Sequence, residues 1–155
     1  MPKLIFEKSF TPYIYQVWDA APAFPFCCVN QVHGTDVYDS IDATADKIGD
    51  GILTKQQKFI PIAIRTADCV PILVIGKNGA ALLHAGWKGI KNKILMHPEV
   101  LKLEIKSIFL GPHISVQNYE VQNDFLQHFP NSSFVEHLSS KIYFNMSLAL
   151  QKQVP

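Results

Sequence analysis

The amino-acid sequence predicts a mixed α/β protein in which β-sheet dominates. Short runs of Ile, Val, Phe and Tyr bounded by turn residues recur along the chain, which is typical of strands. Helical signals are few and short. The composition, 48% hydrophobic and 17% charged, is that of a chain with a packed core rather than a disordered one. Since domains usually run to roughly 100 to 200 residues, the 155 residues predict one domain over 1–155.

Strands are predicted where apolar runs end at turn residues. In the run 59–65, alternation puts Ile60, Ile62 and Ile64 on one face and Arg65 on the other, which indicates a half-buried strand. The run 70–75 is apolar on both faces and is therefore predicted to be central in a sheet. The predicted strands are residues 3–6, 13–17, 26–32, 51–54, 59–65, 70–75, 80–84, 107–110 and 141–144.

Three segments have helical signals. Residues 90–96 follow a glycine and stop before Pro98, and proline is a common helix terminator. Asn123 is a candidate N-cap for a turn with apolar residues at 125, 126 and 129, and Asn145 is a candidate N-cap for a helix over 146–153. Helix is therefore predicted to be the minor component.

Charge and hydropathy disfavour several classes of protein. Fourteen basic residues against thirteen acidic ones leave a net charge of +1, so there is no broad field to attract nucleic acid. The longest apolar run, 70–76, is far shorter than the roughly 20 residues that span a membrane, so no membrane partner is expected. The N-terminus lacks the pattern of a secretory signal, which makes the cytoplasm the expected location. The three cysteines are expected to be reduced thiols.

Three residues with metal-binding or nucleophilic capacity follow or end apolar runs: His33, Cys69 and His84. Zinc accepts neutral imidazole and thiolate, and three protein ligands leave a fourth position for water or substrate. Their spacing matches no local zinc signature, so structural roles also remain open. A buried Cys69 would be a small apolar residue, and either histidine would suit a core position bonded to a carbonyl.

Other polar residues close to these three positions are candidates for supporting roles. Asp68 is either a functional residue, which orients a ligand or moves a proton, or a turn-capping aspartate. Arg65 and Lys88 are cations that would receive an anion such as phosphate, or are simply solvated. The sequence contains no GxGxxG, Walker A, HExxH or CxxC motif, so dinucleotide and common NTP sites have no support.

Five ordered motifs point to a known family. They are QVHGTDV at 31–37, TADCVP at 66–71, HAGWKG at 84–89, LGP at 110–112 and YEV at 119–121. In order and spacing they resemble the purine nucleoside phosphorylase and polyphenol oxidase family, also called the laccase-domain or YfiH-like family. The resemblance extends over about 31–153.

This resemblance implies a layered α/β (α+β) architecture of stacked mixed β-sheets with outer helices. It also implies a metal, usually zinc, held at the positions of His33, Cys69 and His84. The activities that it implies are phosphorolysis of adenosine, inosine, guanosine or methylthioadenosine, together with adenosine deamination. Oxidation of polyphenols with copper is the older label of the family.

Residue types favour zinc and nucleoside chemistry over copper oxidation. Multicopper oxidases need many imidazoles, often in His-x-His pairs, whereas the six histidines here include no such pair. An open zinc position suits hydrolytic deamination of a purine. Phosphorolysis needs cations that hold phosphate and a proton donor for the leaving base. The candidate substrate-binding residues for these roles are Arg65, Lys88 and His113. Purine nucleoside and phosphate are thus the expected partners.

The chain departs from the family pattern in ways that keep alternatives open. Only 30 residues precede Gln31, Lys88 stands where the family usually has Arg, and the sequence ends at Pro155. One alternative is a shortened member that binds metal without turnover and acts as an adaptor. Another is a hydrolase that uses Cys69 and His84 without metal. A homo-oligomer in which a partner chain supplies missing parts also remains open.

Overall fold

The computed structural model describes residues 1–55, 60–130, 134–138 and 140–154, which form three β-sheets with short helices around them. Strands β1 and β2 form an antiparallel hairpin. A five-stranded sheet has the order β3-β4-β6-β5-β7, and a three-stranded sheet has the order β8-β10-β9. The bounds are β1 Leu4–Phe10, β2 Tyr13–Trp18, β3 Val37–Asp39, β4 Gly51–Lys55, β5 Val70–Gly76, β6 Gly79–Ala85, β7 Ile105–Leu110, β8 Glu120–Val121, β9 Val135–Leu138 and β10 Lys141–Phe144.

The described helices are short and stand at the ends of strands. They are α1 Trp87–Lys91, α2 Pro98–Leu101 and α3 Met146–Gln151, together with 3₁₀ turns at Ile94–Met96, Val116–Asn118 and Asn123–His128. Asn145 caps α3 as predicted, because its Oδ1 accepts a hydrogen bond from the Leu148 N–H at 2.9 Å. The expected cap at Asn123 is wrong, since Gln122 takes the cap position and Asn123 begins the turn.

The five-stranded sheet is covered on both faces, which gives the stacked arrangement that the family resemblance implies. On one face, residues such as Ile72 and Leu83 pack with α1, α3 and β10 in the main core. On the other face, the β1–β2 hairpin packs Tyr15 against Leu73 and Phe109. The prediction of a mixed α+β fold with stacked sheets and outer helices is confirmed.

Strand β5 is buried along most of its length and lies between β6 and β7, as its two-sided apolar run predicts. Because β5 and β4 both run antiparallel to β6, the starts of β4 and β5 and the end of β6 meet at one edge of the sheet. Asp50 directly precedes β4, Cys69 directly precedes β5, and His84 is near the end of β6. This edge therefore gathers polar residues from distant parts of the sequence.

Two predicted strands are wrong. Residues 26–32 contain only isolated bridges, Cys27 to Ile62 and Asn30 to Ile48, and residues 60–65 contain only the bridge at Ile62. Residue 59 lies outside the described residues. Pro61 has no N–H and interrupts any ladder there. Val29 is buried, and Ile62 partly buried, by packing around β4 rather than by sheet pairing. The apolar residues in these two segments therefore reflect burial and not the formation of a strand.

Candidate metal centre

Three side chains that can bind a metal meet at the sheet edge described above. The ligand atoms of His33, Cys69 and His84 all lie within 4.8 Å of one another. The rings of His33 and His84 have centroids 4.9 Å apart and are inclined at 65°. Ligand atoms around a tetrahedral zinc would be about 3.3–3.8 Å apart, so small side-chain rotations suffice to share one ion.

Asp50, which the sequence reasoning missed, organises this cluster. Its carboxylate is fully buried, and its Oδ1 lies 2.8 Å from His84 Nδ1. The same carboxylate accepts hydrogen bonds from the backbone N–H groups of Val32 (3.2 Å), His33 (2.9 Å) and Gly34 (2.6 Å). One anion thus fixes both the ring of His84 and the loop that contains His33.

Asp50 also decides which nitrogen of His84 is free. An ionised carboxylate only accepts, so the proton between the two groups belongs to His84 Nδ1, and Nε2 faces the other ligands. A carboxylate behind a histidine in this way orients the ring and increases the basicity of the ligating nitrogen. The arrangement is that of a metal-binding histidine supported by a buried acid.

The same contacts change the acidities of both groups. Burial alone would raise the pKa of Asp50, but its bonds to His84 and to the backbone of residues 32–34 lower it overall. Burial alone would lower the pKa of His84, but its hydrogen bonds to Asp50 and Cys69 and the charges of both raise it to about 9. Without metal, the positive charge of a protonated His84 is therefore stabilised above all by the carboxylate of Asp50.

Two further features hold the loops in place. His33 has a φ of 62°, a left-handed conformation that is uncommon for a residue with a side chain, and its N–H bond to Asp50 helps to hold it there. The Gln31 side chain forms two hydrogen bonds with the backbone of Arg65. Gln31 Nε2 donates to the Arg65 carbonyl oxygen, and Gln31 Oε1 accepts from the Arg65 N–H, each at 2.7 Å. This pairing ties the His33 loop to the segment that leads to Cys69.

Gly86 leaves the space that the cluster occupies. A Cβ at this position would lie 3.0 Å from both Cys69 Sγ and His33 Cδ2. Such a contact is tighter than almost any real Cβ makes, so the two ligands approach each other because residue 86 has no side chain. Two imidazoles, one thiol and this close approach fit a divalent ion of borderline softness.

The other candidate residues surround the cluster less closely. Asp68 is exposed and its carbonyl accepts a hydrogen bond from Ile114 N–H at 3.1 Å. Burial, together with the negative charges of Cys69 and Asp68, raises the pKa of Tyr119, which places this phenol near both. The neutral phenol of Tyr119 therefore lies beside the cluster. In the sequence, Tyr119 stands out only as part of the YEV motif.

The three candidate substrate contacts lie in different surroundings. Arg65 and Lys88 are exposed and, within the described ranges, neither forms an ion pair; Lys88 Nζ lies 5.7 Å from the ring centroid of Trp87. His113 is half-buried and has both ring nitrogens bonded, to the carbonyl of Gly111 and to Ser147 Oγ. No described contact joins any of these three side chains to the metal-binding cluster.

A signal for Asp50 exists in the sequence, although it is short. The residue lies between two glycines immediately before the apolar run of β4, where a charge needs partners to be buried. In combination, the layered fold and the His–Cys–His group with its buried carboxylate define an α+β protein with a site suited to one metal ion.

Comparison with known proteins gives the family. The chain belongs to the multi-copper polyphenol oxidoreductase laccase family, which it matches over residues 14–154. It is 32% identical over 130 residues to a purine nucleoside phosphorylase of Rickettsia conorii, a match that covers 79% of this chain and 51% of the relative. A purine nucleoside phosphorylase of Aquifex aeolicus is 32% identical over 120 residues, which cover 74% and 57%.

A solved structure confirms the fold. The crystal structure of a Neisseria meningitidis protein superposes with a TM-score of 0.66 and 26% identity, and the match covers 83% of this chain and 60% of that one. The family resemblance derived from the five motifs is therefore confirmed. The chain spans about half the length of the relatives it matches. Among the described residues, no helix is long and apolar enough to cross a membrane.

Proposed function

We propose that this chain is a zinc-dependent enzyme that acts on purine nucleosides, with phosphorolysis of adenosine or inosine as its main reaction. The observation on which the proposal rests is the group of His33, Cys69 and His84 with the Asp50 carboxylate behind it. Its similarity to proteins named purine nucleoside phosphorylase supports the choice of substrate and of phosphate as the second reactant. Deamination of adenosine at the same site is the secondary activity that we expect.

The donor set favours zinc over copper. One thiolate and two imidazoles provide three ligands for a single ion, and a zinc ion held there would supply Lewis acidity at the remaining open position. In the part of the chain that the structure describes, this is the one group of three or more potential metal ligands. Coupled copper centres need several such groups, so we do not assign oxidation of polyphenols to this chain.

The roles of the protein residues follow from their positions. Asp50 keeps the proton on His84 Nδ1 and orients the ring. Asp68, exposed and adjacent in sequence to Cys69, is our candidate to move a proton between solvent and substrate. Arg65 and Lys88, both exposed cations, are our candidates to hold phosphate against the anomeric carbon. The ring contacts of His113 are to Gly111 and Ser147, and none that the structure describes is to the cluster, so we do not assign it the proton transfer to the leaving base.

We keep three alternatives to this assignment. Two of them are a metal-binding adaptor without turnover and a homo-oligomer whose second copy contributes to the site. The third is a metal-free thiol hydrolase, which the proximity of Cys69 and His84 favours. We propose the cytoplasm as the location of the protein, and the three free thiols are compatible with its reducing environment.

The deciding experiment incubates zinc-loaded and chelator-treated protein with adenosine or inosine, with and without phosphate, and separates the products by chromatography. Free base together with ribose 1-phosphate, formed only with zinc and phosphate, supports the proposal. Inosine formed from adenosine without phosphate shows deamination. If zinc binds and raises the melting temperature while no nucleoside reacts, the adaptor alternative replaces the enzyme.

A further inference from the structure

A second pair of reactive side chains lies outside the metal-binding cluster. His113 Nε2 is 2.7 Å from Ser147 Oγ, and His113 Nδ1 is 2.7 Å from the carbonyl oxygen of Gly111. Ser147 is in the first turn of α3, 34 residues along the chain from His113. A serine, a histidine and an acceptor that orients the histidine are the parts of a nucleophile and its base.

The acceptor behind His113 settles where the imidazole proton is. A carbonyl oxygen only accepts hydrogen bonds, so the proton of the neutral ring resides on Nδ1 and points at Gly111. Nε2 is then left with its lone pair, and the Ser147 hydroxyl donates to it. This is the tautomer that a general base needs in order to take a proton from serine.

Both partners are attached to firmly held backbone. The segment after β7 is bonded to the start of β5 by Gly111 N–H to Pro71 O at 2.8 Å and by Ile114 N–H to Asp68 O at 3.1 Å. A Cβ at Gly111 would lie 2.1 Å from the Tyr15 hydroxyl, so the chain passes close to the hairpin there. Ser147 is positioned by the helix that Asn145 caps. Rigid supports of this kind preserve a catalytic geometry.

The pair opens onto a cavity. Its volume is about 370 Å³, within the range of small-molecule sites, and both His113 and Ser147 line it and are half-buried. Met146 and Val116 add apolar surface, and the carboxamide of Gln117 is a hydrogen-bond donor in the same wall. No Lys, Arg, Asp or Glu is among the described residues that line the cavity, which favours an uncharged ligand.

We propose that Ser147 and His113 form an acyl-transfer site that hydrolyses small, uncharged carboxylic esters independently of the metal. Ser147 Oγ forms a bond to the acyl carbon while its proton moves to His113 Nε2, and the alcohol leaves with that proton. Water then attacks the acyl-serine and gives one proton to His113 Nε2. The carboxylic acid departs as that proton returns to Ser147 Oγ. The overall reaction consumes one ester and one water and releases one alcohol and one acid.

The first test asks whether Ser147 is nucleophilic. The protein is treated with a fluorophosphonate probe, which reacts covalently with activated serines, and the labelled peptide is identified by mass spectrometry. We expect labelling at Ser147 in the wild type. The absence of label on Ser147 at probe concentrations that modify a serine hydrolase overturns the proposal, and this result does not depend on the folding of any variant.

The second test measures hydrolysis of p-nitrophenyl acetate. We expect Ser147→Ala to remove the enzymatic rate and His113→Gln to lower it about 100-fold or more, as loss of a general base does. Ser115→Ala is the matched control, because Ser115 lines the same cavity but bonds to Asn118 rather than to an imidazole. Chelation of zinc should leave the rate unchanged. If the rate falls with the chelator, or persists in Ser147→Ala, the ester reaction belongs to another site and the proposal is wrong.

Discussion

Replacement of Asp50 by Asn removes one negative charge from the buried centre and keeps the shape of the side chain. Four N–H groups point at the carboxylate: those of the His84 ring and of residues 32, 33 and 34. The amide nitrogen of Asn would face two of these donors, whose hydrogen bonds would be lost. At about 1.5–3 kcal/mol for each bond to a charged group, the loss of two bonds should make the metal-free variant less stable by roughly 3–6 kcal/mol.

Zinc binding should weaken as well. Changing the partner behind a ligating histidine typically lowers metal affinity about 10–100-fold. With zinc at about 100 times the wild-type dissociation constant, binding stabilises the wild type by about 2.7 kcal/mol, and the variant should lose about 1.3–2.3 kcal/mol of this gain. Competition with a chromophoric chelator gives the affinity, and denaturant unfolding with and without zinc gives the stabilisation.

The control is Asp42→Asn, which removes the same charge at an exposed position. It should change both the free energy of unfolding and the zinc affinity very little, since surface substitutions usually stay within about 0.5 kcal/mol. If Asp50→Asn binds zinc as tightly as the wild type, Asp50 does not set the state of His84 and the reasoning about the centre is refuted.

Three further predictions concern other positions. Gly86→Ala should lower zinc affinity about tenfold, because the new Cβ presses on Cys69 and His33; calorimetric titration measures it. Asn145→Ala should reduce the free energy of unfolding by about 1 kcal/mol in urea, through loss of the α3 cap. Burial raises the pKa of Tyr15 to about 12. The stabilisation of the folded state that comes from this shift is fully present below about pH 10 and should be lost as pH rises through 12. Tyr15→Phe should remove that part of the alkaline loss in melting experiments.

Each of these has a control and an outcome that contradicts it. Asn123→Ala matches the cap variant, since Asn123 lies inside its turn rather than at the cap, and an equal loss of stability in both would refute the capping role. An unchanged zinc affinity in Gly86→Ala would show that the ligands do not depend on the missing side chain. For Tyr15, the comparison is the difference between wild type and variant, because lysines also titrate at alkaline pH; parallel curves would contradict the prediction.

Continuous apolar runs allowed prediction of the strands that pair on both sides. The predicted runs 70–75, 80–84 and 141–144 match β5, β6 and β10 to within one residue at each end. In contrast, β3 and β8 have three and two residues, too few for any periodicity to be visible. The segments 26–32 and 60–65 are apolar because they cover β4, and hydrophobicity alone does not distinguish such packing from pairing.

The sequence likewise predicted some residues of the candidate site and missed others. The positions of His33, Cys69 and His84 beside apolar runs were visible in the sequence, and the fold brings the three side chains together. Asp50 was missed because its bonds reach 16 to 18 residues back to one loop and 34 residues forward to His84. Contacts at such separations are set by strand order rather than by local pattern. The pairing of His113 with Ser147 was invisible for the same reason.

The Asp50 carboxylate forms hydrogen bonds both with the His84 ring and with the loop that contains His33, which makes the two imidazoles interdependent. Disturbing Asp50 would release His33 through its backbone and His84 through its ring in one event. Altering the acid is thus expected to weaken the contributions of both histidines at once rather than that of one ligand alone. An attempt to install another metal by exchanging coordinating side chains should therefore leave that acid untouched.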